Sequence, residues 1–187
     1  MAPQPSPAPP LPRPLLIVGV GLTALLVAGV VAAGLLSRGG EEPPAADTGP
    51  VALVPVPAPK AESDECGALL GGLPAQLVSN GVPLPRRELA APAPAGAVAW
   101  SDGLREPVVL RCGLDRPRDL TPTSQLRVIS DVQWLEVSEG GSATWYVVDR
   151  PVYVALTVPA DAGTGPLQDV SAAVRDRLAK GPVDTTG

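Results

Sequence analysis

The 187-residue sequence has no histidine, no phenylalanine, one methionine and only two cysteines, Cys66 and Cys112. Without histidine, Ser-His-Asp and Cys-His nucleophilic centres and histidine phosphotransfer are excluded. Two thiols do not complete the usual four-ligand zinc site, so no metal is expected. Lysine is scarce as well, with Lys60 and Lys180 alone, and neither follows a Ser-x-x spacing that would serve a Ser-Lys mechanism. There is no P-loop and no Gly-x-Gly-x-x-Gly fingerprint, and no cofactor is expected. The formal net charge is −5. Acids at positions 88, 106, 115 and 119 interrupt the basic groups Arg86-Arg87 and Arg111, Arg116 and Arg118, which argues against a nucleic-acid partner.

Apolar residues and proline are abundant. Leu15 to Leu36 is a run of 22 residues without charge, amide or proline. As a helix it would extend roughly 33 Å, enough for a hydrocarbon core about 30 Å thick. The expectation is a transmembrane helix over 15–36, with the lipid bilayer as its partner. A cleaved secretory segment is the competing reading, although the run is longer than the usual apolar core of such a segment and only Arg13 precedes it as a basic side chain. Residues 1–14 would form a short cytoplasmic Pro-rich tail. Residues 37–61, with prolines at 43, 44, 50, 55, 57 and 59, read as an extracytoplasmic spacer. Residues 62–180 are the size of one domain, and 181–187 a flexible tail.

Cys66 and Cys112 both lie in the part that looks folded. In an oxidising compartment they could pair, and closing a loop of that length contributes about 4 kcal/mol at the upper end. Two independent buried thiols are the alternative. Pairing would place the domain outside the cytoplasm, so the expected location is a single-pass protein of the cell membrane with its C-terminal domain extracellular.

Within the domain, Ser63 caps a short helix whose apolar positions Cys66, Leu69, Leu70 and Leu73 recur at spacings of three and four. Ala75 to Gly96 reads as an irregular excursion because of its four prolines. Strands are expected at 97–100, 107–112, 142–148 and 152–158, with further strand material over 125–130 and 132–138 interrupted around Asp131 by a bulge or bend. Gly140-Gly141 suits a hairpin turn, which sets Leu135 opposite Tyr146 and Trp134 opposite Val147. Gly165-Pro166 opens a final helix with Val170, Val174 and Leu178 in a stripe. The expected fold class is α+β: an antiparallel sheet of four or five strands, a short N-terminal helix and a C-terminal amphipathic helix, preceded by one transmembrane helix.

The Cys66-x-x-Leu69-Leu70 helix, Ala99-Trp100 and Val109-Leu110-Arg111-Cys112-Gly113 together resemble an actinobacterial family of membrane-anchored proteins of unknown function, DUF3515. Leu120-Thr121-Pro122-Thr123-Ser124-Gln125-Leu126, Val132-x-Trp134 and Val152-Tyr153-Val154 extend the resemblance over about Asp64 to Leu178. It implies an envelope location and a disulfide, and brings no catalytic residue.

The functional expectation is a non-catalytic binding or scaffolding domain facing outside, with an envelope protein or small ligand as partner. Candidate surface residues are Trp100, Arg111, Thr121, Thr123, Ser124, Trp134 and Trp145, since aromatics and arginine anchor interfaces; the same rings, like Tyr146 and Tyr153, are also the bulkiest core fillers in a chain without phenylalanine. The alternative is an envelope hydrolase drawing an acid and a base from Asp102, Asp115, Asp119, Asp131, Glu136 and Asp149.

Overall fold

A computed structural model describes residues 13–37 and 45–185. Residues 1–12 of the expected tail, 38–44 of the expected spacer and the last two lie outside the described residues. The chain divides into two units, Met1–Ala45 and Ala46–Gly187.

The first unit contains helix α1 (Arg13–Ser37). Among the described residues no helix is long and apolar enough to cross a membrane, so the expected transmembrane helix is withdrawn. Side chains are described only for residues 21–33 of α1.

The second unit is an eight-stranded antiparallel sheet with two helices. In chain order its elements are α2 (Asp64–Gly72), β1 (Gln76–Ser79), β2 (Val82–Arg87), β3 (Ala97–Trp100), β4 (Val108–Leu114), β5 (Leu126–Ile129), β6 (Val132–Glu139), β7 (Ser142–Val147), β8 (Tyr153–Pro159) and α3 (Gly165–Arg177). The spatial order is β1-β2-β3-β4-β8-β7-β6-β5. Helix α3 packs against α2 and against both edge strands, β1 and β5, so the sheet curls around it as a half-barrel.

Eight strands replace the expected four or five, and the difference has two causes. The proline-rich excursion contains the hairpin β1–β2, closed by Asn80-Gly81 with φ of 49° and 80°. Arg86 N donates to Ala75 O, so the even-numbered residues of β2 pair toward β1 while Pro83 and Pro85 point their missing donors the other way. Proline in that alternation costs no bond to β1. The second cause is Ser130-Asp131, where positive φ values of 49° and 63° make a two-residue turn between separate strands β5 and β6 instead of a bulge.

Other expectations hold in detail. Ser63 caps α2, its side chain accepting from Cys66 N at 3.3 Å. Trp134 lies opposite Val147 and Leu135 opposite Tyr146. Strand β8 is central, between β4 and β7. Val170 and Val174 of α3, and Leu178 at its C-terminal cap, are buried.

The inner face of the sheet carries the main core: Val98, Trp100, Leu110, Trp134, Val154 and Leu156 meet Leu69 of α2 and the α3 stripe. Each tryptophan there satisfies its N–H, Trp100 Nε1 on Pro74 O at 3.1 Å and Trp134 Nε1 on Ser171 Oγ at 2.9 Å. Cys66 and Cys112 form a disulfide with Cα atoms 5.7 Å apart, fixing α2 to β4. At one end, Arg150 Nη1 lies 2.8 Å from Asp149 Oδ2, an ion pair without hydrogen-bond alignment. Arg150 also reaches Asp131 O at 3.0 Å, and Asp149 O accepts from Gly181 N at 2.9 Å, which ties the end of α3 to the β5–β6 turn.

The outer face is closed differently. A second cluster of Leu120, Leu135 and Val148, with Leu126, Tyr146, Tyr153 and Val183 around it, lies under the 115–124 loop and the C-terminal segment. Beside it, residues 46–61 run along the domain as a strap. Its backbone bonds are Asp47 N to Gly103 O (2.8 Å), Val51 N to Glu88 O (2.8 Å), Ala90 N to Val51 O (2.9 Å) and Lys60 N to Gly113 O (3.0 Å). The described part of the stretch read as a spacer is therefore docked. Its prolines do not prevent this, because non-proline residues supply every donor in those bonds.

Candidate binding groove

The strap rests where glycine permits it. Gly103 and Gly113 have φ of 80° and 85°, a region other residues enter at a cost. A Cβ on Gly103 would run into the backbone of Asp47, and one on Gly113 into the backbone of Lys60 and Ala61. The strap thus approaches the sheet at backbone distance at both ends.

Between the strap and the β3–β4 loop lies an open groove of ≈ 660 Å³. Residues 47 and 49–52 form one wall, residues 101 and 103–107 the other, and Arg87 lies between them at the end of β2. The volume is in the range of small-ligand sites, about 300–1,000 Å³.

The loop wall holds its own shape. Ser101 is buried, donates from Oγ to Arg105 O at 3.3 Å and accepts from Gly103 N at 2.9 Å. Asp102 Oδ1 accepts from Leu104 N and Arg105 N, while its Oδ2 takes both Arg105 Nε (3.1 Å) and Nη2 (2.7 Å). The Arg105 hydrogen bond, with the backbone donors assisting and burial opposing, holds the Asp102 carboxyl below its ordinary value of 3.8. Arg105 thus spends its charge inside the loop.

Arg87 is held from the strap side. Its Nη2 donates to Gly49 O at 2.6 Å, and Gly49 N in turn donates to Asp47 Oδ1 at 2.8 Å. Glu106 and Leu104 are exposed on the opposite rim.

The residues singled out from sequence are spread across the fold. Trp100 and Trp134 are fully buried in the inner core and present no surface. Trp145 is half-buried, with the Arg127 guanidinium 5.8 Å from its ring centroid. Thr121, Thr123 and Ser124 form an exposed turn in which their hydroxyls bond mainly to one another and to Asp119 O. Arg111, on the outer face of β4, donates from Nη2 to Val54 O at 2.9 Å, and burial lowers its pKa from the ordinary arginine value. Its buried Nε has no hydrogen-bond partner among the described residues. The fold does not gather these residues into one site.

Four of the carboxylates considered for acid-base work each face a cation. Asp102 binds Arg105, Asp131 binds Lys180 at 2.6 Å, Glu136 binds Arg127 at 3.1 Å and Asp149 faces Arg150. Asp115 and Asp119 belong to the separate loop after β4. Among the described residues no group of three acids or thiols could hold a metal ion.

Sequence reasoning missed Arg87 and the walls of the groove. The available signs were Gly103 in a Ser-Asp-Gly turn and Gly113 after Cys112, both places where another segment can approach closely.

The chain belongs to the family described as protein of unknown function (DUF3515), whose model matches residues 20–183. No curated protein and no solved structure matches it.

Proposed function

We propose that this member of the DUF3515 family is a non-catalytic binding module of an oxidising, extracytoplasmic compartment, engaging an envelope protein or small ligand through the strap-walled groove. The observation that carries the reading is the groove itself: a cleft of ligand size whose loop wall is fixed by the Asp102–Arg105 clamp and whose strap wall is fixed by backbone bonds. Fixed walls lower the ordering cost of binding. The buried Cys66–Cys112 bridge supports the compartment, since disulfides persist where thiols are not kept reduced. The charged side chains favour recognition over acid-base chemistry, because four of the candidate acids already face a cation.

Photo-crosslinking in intact cells tests this reading. A photoreactive residue at Leu104, 56% exposed on the groove rim, is compared with one at Val128, 67% exposed on the edge strand β5. A reproducible adduct from position 104 and none from 128 supports the groove. Equal labelling from both positions, or none from either, rejects it.

A further inference from the structure

The groove's charges point to a ligand class, an inference that rests on the binding reading above. We infer that the groove takes a short zwitterion, an amino acid or small peptide, with the ligand carboxylate on Arg87 and its ammonium group toward Glu106 and Asp47.

The cations of the domain differ in what they have left to offer. Arg105, Arg127, Arg150, Arg175 and Lys180 each lie against a carboxylate. Arg87 lines the groove, is half-buried, and has no described carboxylate within the 4.0 Å of an ion pair. One of its nitrogens is occupied by a neutral carbonyl, Gly49 O. A guanidinium has five N–H donors in a fork that matches a carboxylate through two parallel bonds. The strap carbonyl thus orients the fork while leaving its charge uncompensated.

A simple anion would meet a poor field, because Asp47 and Glu106 line the same groove. With Arg105 neutralised by Asp102, the uncompensated charges around the cleft are one positive and two negative. A ligand bearing one carboxylate and one ammonium answers both signs, whereas a dianion leaves the two acids facing like charge. The mixed character of the walls suits a peptide too. Pro50, Val51, Ala52, Leu104 and Pro107 offer apolar contact between the charged ends.

The test uses the full-length oxidised chain and three probes, followed by nuclear magnetic resonance at the Arg87 Nε–Hε group and the amides of residues 49, 51, 52 and 103–105. The probes are trialanine, trialanine with its C-terminus amidated, and trialanine with its N-terminus acetylated. Trialanine is expected to shift these resonances saturably. Amidation should weaken binding about tenfold or more, the scale of a lost charged hydrogen-bond pair. Acetylation should weaken it less, because Glu106 is exposed. In Arg87→Gln the amidated and free peptides should bind alike, and Arg87→Lys should restore part of the preference by keeping the charge. Equal binding of the free and amidated peptides to the unaltered protein overturns the carboxylate assignment while leaving the groove a binding site. No saturable shift with any probe overturns the zwitterion inference, and the crosslinking comparison at Leu104 then decides separately whether the groove binds anything.

Discussion

The two faces of the sheet solve the same burial problem with different materials. On the inner face α2 and α3 cover Trp100, Trp134 and a field of aliphatic side chains, and a disulfide fixes one helix to the central part of the sheet. On the outer face the cover is a strap and two loop segments, held by backbone hydrogen bonds, arginine contacts to carbonyls and close approach at glycines. Side-chain packing on the inner face leaves a continuous buried core. Backbone docking on the outer face leaves gaps between the covering pieces, and the groove is one of them. Stability therefore belongs mainly to the inner face and the proposed recognition to the outer one.

The largest effect that would sharpen this contrast is expected from Trp134→Ala. It removes the bulkiest side chain beneath α3 and its bond to Ser171, and should cost about 3–5 kcal/mol, read by urea unfolding. Replacing Cys66 and Cys112 together with alanine should cost about 2–4 kcal/mol by the same measurement, because the unfolded chain regains the freedom of a loop closed at a separation of 46 residues. Gly113→Ala acts on the other face. Its strained φ and the clash with Lys60 and Ala61 should cost about 1–3 kcal/mol, with faster hydrogen exchange confined to the strap end. A loss spread evenly over both faces would break the distinction.

The smallest effect is expected from acid. The folded pKa of Asp102 lies below its ordinary value of 3.8, so its contribution to loop order is present above that value and is lost as the pH falls through the folded pKa. The β3–β4 loop should loosen below about pH 3.8. A carboxyl carbon resonance for Asp102 with a titration midpoint below 3.8 would agree, and a midpoint above it would break the clamp.

Legibility in the sequence follows the same division. Where side chains do the packing, the pattern was readable: Gly140-Gly141 fixed the β6–β7 register, and the Val170, Val174, Leu178 stripe marked the buried side of α3. Where the backbone does the work, it was not. Pro83 and Pro85 hid β2 because their harmlessness depends on which neighbour each residue faces, and that is a property of the register. Ser130 and Asp131 adopt positive φ without being glycine, so a turn resembled a bulge. The strap binds through amides and carbonyls that every residue shares, which left proline content as the only visible trait. Arg87 looked like solvated charge until Gly49 and the loop from Ser101 to Pro107 were brought beside it.

The groove exists only if residues 46–61 are part of the folded domain. Amide hydrogen exchange on the full-length oxidised chain at neutral pH tests that directly. The amides of Asp47, Val51 and Lys60, which donate to Gly103, Glu88 and Gly113, are predicted to exchange far more slowly than unstructured peptide. Exchange at the unstructured rate at all three would contradict the account, because the strap would then be a free spacer and the groove would lack a wall.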